Sequence, residues 1–366
     1  MVHITPEIQA QLDEQKKNCV FCKIIAGEIP SKKVYEDTLT IALLDVNPWC
    51  KGHVLFMQKD HYPIMPYIPP DTFTHIFGIL PKLIRTIQSA MLATGMNVFI
   101  ANGGAAGQQS PHFLMHIIPR ESDDGITAFD FSLKNEPQQE KDVKMLTHNL
   151  PLMMVNHFKR TPAPWSKTSF ETAPFLTDYK IKDTVVYEDA KVLCVNPKQS
   201  FCRGHLVIYS QEEEQNFSSL SMESACHLFY VASYCATAVF EGMQAHGSNI
   251  IMKCGKSADN PEGKLSIHIL PRWGDDGLEI LPKAMSQKPN LDSIAEKIND
   301  KTYVIEYELK KEEKKEEKNA EKNVSQSKEM HVAQPKKEIV SDAPKKNTQN
   351  PLQEIIDAVE RIQRNS

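Results

Sequence analysis

No stretch of this 366-residue chain is apolar for long enough to cross a membrane. Met1 to Lys17 is polar and lacks the apolar centre that a secretory leader requires. Charge of one sign is missing too. Lys and Arg number 42 and Asp and Glu 47, a formal net charge of -5 that leaves no basic footprint for nucleic acid. Cysteines are not spaced as a disulfide framework. Cys50, Cys194, Cys202, Cys226, Cys235 and Cys254 sit singly in apolar surroundings, as buried free thiols do, and only Cys19 and Cys22 form a C-x-x-C. These absences predict a reducing, cytoplasmic location with no membrane and no nucleic-acid partner. What is present is ample apolar material, 41% of residues, in a chain long enough for two domains with accessories.

The chain repeats itself. Lys51-Gly52-His53-Val54 returns as Arg203-Gly204-His205-Leu206, and His116-Ile117-Ile118-Pro119-Arg120 as His268-Ile269-Leu270-Pro271-Arg272. Tyr35-Glu36-Asp37 returns as Tyr187-Glu188-Asp189, and Asp123-Asp124-Gly125 as Asp275-Asp276-Gly277. One spacing serves all of them (204 − 52, 268 − 116, 187 − 35 and 275 − 123 are each 152), so the chain is a tandem duplication without insertion or deletion.

Within copy one, short β-like runs at Lys33–Glu36, Thr40–Asp45 and His53–Gln58 precede a helical pattern from Asp71 to Ala93. Asp71 reads as its N-cap, and Pro81 as a point of kinking or division. Asn97–Ala101 and His112–Ile118 complete a sheet, and the alternation of the second run puts His112, Leu114 and His116 on one face. A Gly-rich run, Asn102-Gly103-Gly104-Ala105-Ala106-Gly107-Gln108, leads into it. Copy two should carry its helix from near Glu223. The spacing divides the chain into an arm (1–17), a first domain (18–125), a linker (126–175) with a helix through His148–His157 and a Pro-rich joint at Thr161–Pro164, and a second domain (176–277). An accessory segment (278–305) follows, with a short amphipathic helix at Asn290–Ile298. Then come a Lys/Glu tract (306–349), too poor in apolar side chains to order itself, and an apolar stripe at Leu352, Ile355, Ile356, Val359 and Ile362 in 350–366. That stripe suits either docking to a protein partner or folding back on its own domain.

The run from His112 to Arg120 resembles the signature of the histidine triad (HIT) family, His-x-His-x-His followed by apolar residues. The resemblance implies an α+β fold: two tandem HIT-like domains, each an antiparallel sheet with a helix packed across it. It also implies pairing, either inside the chain as a pseudo-dimer or between chains as a homodimer. In that family the middle histidine is the nucleophile. Here the place holds Leu114, and in copy two Ser266; leucine has no lone pair with which to attack phosphorus. The zinc-binding branch of the family uses a C-x-x-C, a histidine after the third strand and the first triad histidine, which Cys19, Cys22, His61 and His112 match. Two thiolates and two imidazoles make a closed, structural zinc site. Copy two has Lys264 and Glu213 where His112 and His61 stand, so one zinc per chain is expected.

By the same resemblance, Asp45, Asn102, Gln108 and His116 match the places that bind a purine nucleotide. Gln109 departs from the usual serine. In copy two Asp45, Asn102 and Gln108 become Pro197, Cys254 and Asn260, although Lys256 and Lys264 could hold an anion. The two-copy plan also resembles galactose-1-phosphate uridylyltransferase, whose His-Pro-His motif neither copy has. The leading expectation is a nucleotide-binding or scaffold protein without normal HIT hydrolase activity. The alternatives are an active nucleotide hydrolase or nucleotidyl transferase of the superfamily, such as a phosphoramidase or dinucleoside polyphosphate hydrolase, and an interaction protein acting through its C-terminal tail.

Overall fold

The computed structural model describes residues 6–131, 138–160, 170–274, 276–302 and 304–305. The Pro-rich joint and the segments assigned to the Lys/Glu tract and the C-terminal stripe lie outside the described residues. Helix α1 (Pro6–Asn18) buries Ile8 and Leu12 against Ile64 and Tyr67, and a short α2 (Val20–Ile25) follows. Copy one then forms β1 (Lys33–Glu36), β2 (Thr40–Leu44), β3 (Val54–Gln58), helix α3 (Pro70–Met91), β4 (Gly95–Asn102) and β5 (Met115–Arg120). The linker contributes α4 (Glu140–Arg160). Copy two gives α5 (Thr177–Lys182), β6 (Thr184–Glu188), β7 (Val192–Asn196), β8 (Leu206–Ser210), α6 (Met222–Met243), β9 (Gly247–Gly255) and β10 (Ser266–Arg272). Residues 291–302 are helical, with Ile294 and Ile298 buried. No described helix is long and apolar enough to cross a membrane.

The two copies join into one ten-stranded sheet, β1-β2-β3-β5-β4-β9-β10-β8-β7-β6, whose seam is the antiparallel pair β4 and β9. Close approach at the seam needs glycine. A Cβ on Gly247 would lie 2.5 Å from the Asn102 carbonyl oxygen, and one on Gly255 2.5 Å from that of Thr94. On one face α3 and α6 pack together, with Phe77 stacked on Phe229 at 4.4 Å and Phe73 on Tyr230 at 4.2 Å. One apolar core runs through both copies. The pairing expected of the family is therefore made inside the chain.

Four local expectations are corrected. Asp71 does not cap α3: the cap is Pro69, which offers no side-chain bond, and Asp71 sits in the first turn, where the helix dipole favours a carboxylate. Pro81 does not divide α3, because Phe77, Leu80, Leu83 and Ile84 around it are all fully buried and hold the helix through the one missing backbone bond. β5 begins at Met115 rather than His112. The residues before it leave the ladder to make other bonds: Phe113 N–H donates to the Tyr62 carbonyl (2.6 Å) and His112 Nε2–H to that of Gln58 (2.9 Å). Leu114 still shares a face with His116. It packs in one cluster with Leu55 and Met57, and Leu55 is the direct cross-strand partner of His116. The linker helix is longer than its pattern suggested, and buries Leu146, Leu150 and Met154.

Candidate functional site

At one end of copy one, Cys19, at the N-cap of α2, and Cys22, inside it, meet His61 from the loop after β3 and His112 from the loop before β5. One ligand-type atom from each lies within 4.8 Å of all the others. Cys19 Sγ is 3.6 Å from His112 Nδ1, and Cys22 Sγ is 3.3 Å from His61 Nδ1 and 3.6 Å from His112 Nδ1. Zinc bonded to sulfur at about 2.3 Å and to nitrogen at about 2.0 Å has tetrahedral S···N edges of about 3.5 Å, so the spacing fits such an ion. The tautomer fits as well. His112 Nε2 faces a carbonyl and must carry the proton, which leaves the Nδ1 lone pair toward the sulfurs. Burial raises the Cys19 thiol, but hydrogen bonding with His112 and His61 outweighs it and brings it down to about 5. Burial, then the neighbouring Cys19 charge, pushes Cys22 up to about 12. A second thiolate here needs a cation beside it.

Along the same sheet face an apolar stripe of Ile41, Leu43, Leu55, Met57 and Leu114, edged by Phe21, Ile24 and Ile25 of α2, runs up to a polar pocket. There His53 Nδ1 accepts the Trp49 backbone N–H (3.2 Å), so its proton is on Nε2 and is donated to His116 Nδ1 at 3.1 Å. His116 must then carry its own proton on Nε2. Trp49 stacks on both rings, at 4.7 Å from His53 and 4.5 Å from His116. Burial lowers His116 to about 3 and, with the nearby His116, takes His53 well below its ordinary value, so both imidazoles are neutral near pH 7. Asp45 lies 3.6 Å from His53 Nδ1 and accepts from Asn47 N–H (2.8 Å); burial raises its carboxyl. Asn102 is buried. Its Oδ1 accepts from Met65 N–H (3.3 Å), while Nδ2 has no partner among the described residues. Gln108 braces its own loop: Oε1 accepts from Gly103 N–H, and Nε2 donates to the carbonyls of Pro63 and Ser110. The structure thus brings Asp45 and His116 together with His53 and Trp49, and shows Gln108 spending its amide hydrogens on its own loop and the loop after β3.

Copy two repeats the imidazole relay. Phe201 N–H donates to His205 Nδ1 (3.3 Å), His205 Nε2 to His268 Nδ1 (3.0 Å), and His268 Nε2 lies 3.0 Å from Ser266 Oγ. The order of donors leaves the proton on His268 Nε2, so in this state Ser266 accepts and has no base to take its own proton. The pocket beside the relay is filled. Phe131, from the linker, lies 4.9 Å from His268 and 5.0 Å from Phe201. Lys253, standing where copy one has Ala101, reaches in with its Nζ 4.1 Å from the Phe131 ring centre. Its three donors are used by the Phe129 carbonyl, the Asp259 carbonyl (3.2 Å) and the Asp259 carboxylate (3.0 Å), leaving none for a ligand. Lys264, a proposed anion holder, is committed to Glu262 and to the Tyr179 hydroxyl.

Sequence reasoning missed Trp49, Phe131 and Lys253. The 152-residue spacing would have paired Trp49 with Phe201 and exposed the Ala101-to-Lys253 change. Nothing in the linker's pattern marks Phe131. It also recorded Tyr35 and Asp37 without their partner: His75 Nε2 meets Asp37 at 2.8 Å, as His227 meets Asp189 at 2.7 Å.

The HIT domain family model matches residues 26–123 and 179–275. The chain is similar to an adenylylsulfatase of Arabidopsis thaliana, at 36% identity over 36% of this chain and 66% of that protein, just under two thirds of its length. It is similar to the protein hit of Bacillus subtilis, at 43% identity over 28% of this chain and 72% of the other. It is also similar to an adenosine 5'-monophosphoramidase of Candida albicans, at 36% identity over 29% and 72%. A solved structure of a HIT family member from Bacillus subtilis is 42% identical over 29% of this chain and 76% of its own, with a TM-score of 0.29. Matched in both copies over more than half its length, the chain belongs to the HIT domain family.

Proposed function

We propose that copy one binds a purine nucleoside monophosphate without the normal hydrolytic chemistry of the family, in a domain held by one structural zinc ion. The observation that carries this reading is Leu114 beside an intact His53–His116 relay. The relay offers a neutral imidazole N–H at His116, suited to an anionic oxygen, and the half-buried apolar side chains of Ile24, Ile25 and Leu114 suit a flat base. The atom that would attack phosphorus is missing at Leu114. The names of two relatives, an adenylylsulfatase and an adenosine monophosphoramidase, support an adenine nucleotide as the ligand. Cys19, Cys22, His61 and His112 would hold the zinc, which supplies a fixed crosslink between α2 and two loops and no reactive position.

Calorimetric titration of the full chain with AMP and GMP tests binding. Saturable binding that is lost in His116→Ala supports the reading, and no binding of either nucleotide sinks it. Adenosine phosphoramidate should be turned over near background, with no covalent nucleotidyl adduct. Robust turnover by the unmodified chain, abolished by His116→Ala, would establish an active hydrolase instead.

A further inference from the structure

The segment after β10 does not stay with copy two. Ile280 is buried in a cluster that spans both copies, with Trp49 and Phe99 from copy one and Ile251 and Leu270 from copy two. Leu281 lies against Gly107, where an added Cβ would meet its Cδ1 at 2.7 Å. Met285 N–H donates to the Pro48 carbonyl at 2.8 Å, and Lys288 Nζ to Asn47 Oδ1 at 2.9 Å. Beyond it, Asp292 pairs with Lys32, and Ile294 and Ile298 enter the shared core. The segment is therefore anchored by buried side chains at both ends, at Ile280 and Ile294. Its middle runs from the Gly-rich loop to the β2–β3 turn, the turn that carries Trp49 and adjoins Asp45. That middle is mostly exposed.

From this path we propose that residues 281–288 are a strap forming one wall of the copy-one pocket, with Leu281 a wall residue and Lys288 a positioning residue acting on Asp45 through Asn47. The proposal rests on the nucleotide reading for its ligand, a ribose diol next to an anionic group. Asn47 ties the two ends of the chain of contacts: its backbone N–H holds Asp45 Oδ1 and its side-chain oxygen takes Lys288. The Lys288 charge also acts to lower the burial-raised Asp45 carboxyl, which helps keep it an acceptor for hydroxyl groups. Copy two shows the same crossing in reverse, since Phe131 of the copy-one tail covers the His205–His268 pair. There the tail plugs the pocket with a ring. Over copy one the corresponding position is Lys283, which is exposed.

The test uses the full chain with Leu281→Ala and Lys288→Ala combined, in two arms. In the first, without ligand, acrylamide quenching of Trp49 is read in a background with Trp165→Phe and Trp273→Phe. Loosening the strap should increase the quenching, and unchanged quenching overturns the proposal. In the second, AMP affinity is measured by calorimetry, and hydrogen exchange at the Met285 amide is followed with and without AMP. Expected are affinity weaker by roughly tenfold in the double variant, from the loss of one wall contact and one polar contact, and slower Met285 exchange when AMP is bound to the unmodified chain. Equal affinity in variant and unmodified chain, with Met285 exchange indifferent to AMP, overturns it. If the first arm succeeds and the unmodified chain binds no AMP, the strap stands as a pocket wall and the nucleotide reading fails.

Discussion

Copy one and copy two share strand order, helix packing and the paired imidazoles, yet differ wherever a ligand would be held. In copy one the segment entering the sheet is gathered by Cys19, Cys22, His61 and His112. In copy two the same place is tied by ordinary polar contacts: Lys180 pairs with Glu188, Ala173 N–H donates to Gln211, and Lys264 reaches the Tyr179 hydroxyl. Copy one leaves a small Ala101 beside its relay; copy two inserts Lys253 and covers it with Phe131. What the two retain in common is what the fold needs. A buried imidazole pair whose hydrogen bonds run from backbone to ring to ring is costly to break in either copy, whether or not a ligand is present.

The largest expected effect breaks the comparison at the metal cluster. Metal analysis should find about one zinc per chain, as a closed four-ligand site implies. Cys22→Ser should remove it and cost more than about 5 kcal/mol of stability, since a structural zinc supplies folding energy of order ten. Metal-free protein with the same melting curve as the zinc-bound form would contradict the assignment.

Next in size is the filled pocket. Lys253→Ala removes one partner of a buried group in which Asp259 also meets Arg120 (2.6 Å) and Asn97 (3.2 Å) across the seam. It should cost about 3–5 kcal/mol, the usual penalty for uncompensating a buried charge. Lys253→Met should cost less, because it keeps the volume beside Phe131 while Arg120 pairs with Asp259 in both variants. Chemical denaturation of both variants decides this, and equal losses would show that Lys253 acts by its charge and hydrogen bonds alone.

Much of this division was legible before any coordinates. The constant spacing gave two copies, and the short β-like runs placed β1 to β4. The Cys and His positions named the cluster that the fold gathers. The seam was not legible, since β4 and β9 carry no sequence mark of pairing with each other beyond the glycines at their ends. Lys253 reads as a solvated strand lysine until its three acceptors are seen. The tails that cross between copies have no periodicity, so Phe131 and Leu281 could not be assigned to the other copy's pocket. Pro81 does not divide α3, because packing on every side outweighs the loss of one backbone bond.

The smallest expected effect sharpens the comparison at a feature both copies keep. Asp37 accepts from Tyr35 and from backbone at Leu39 and Thr40, and pairs with His75. Asp189 does the same with Tyr187, Lys191, Val192 and His227. Burial alone would raise both carboxyls, but the hydrogen bonds, that of the histidine foremost, bring each below its ordinary value. A depressed folded-state value means stability that is fully present above the unfolded carboxylate range, near ~3.9, and lost as pH falls through the folded value. The His227 side chain is 3% exposed and that of His75 25%. His227→Ala should therefore cost about 1.5–3 kcal/mol at pH 7, as for a hydrogen bond to a charged group, and His75→Ala about half of that after solvent screening. Below pH 3 both differences should shrink, because the unmodified chain is then losing the same contribution. Urea unfolding at the two pH values measures it. A His75→Ala loss equal to or above that of His227→Ala would mean that burial does not grade these two ties.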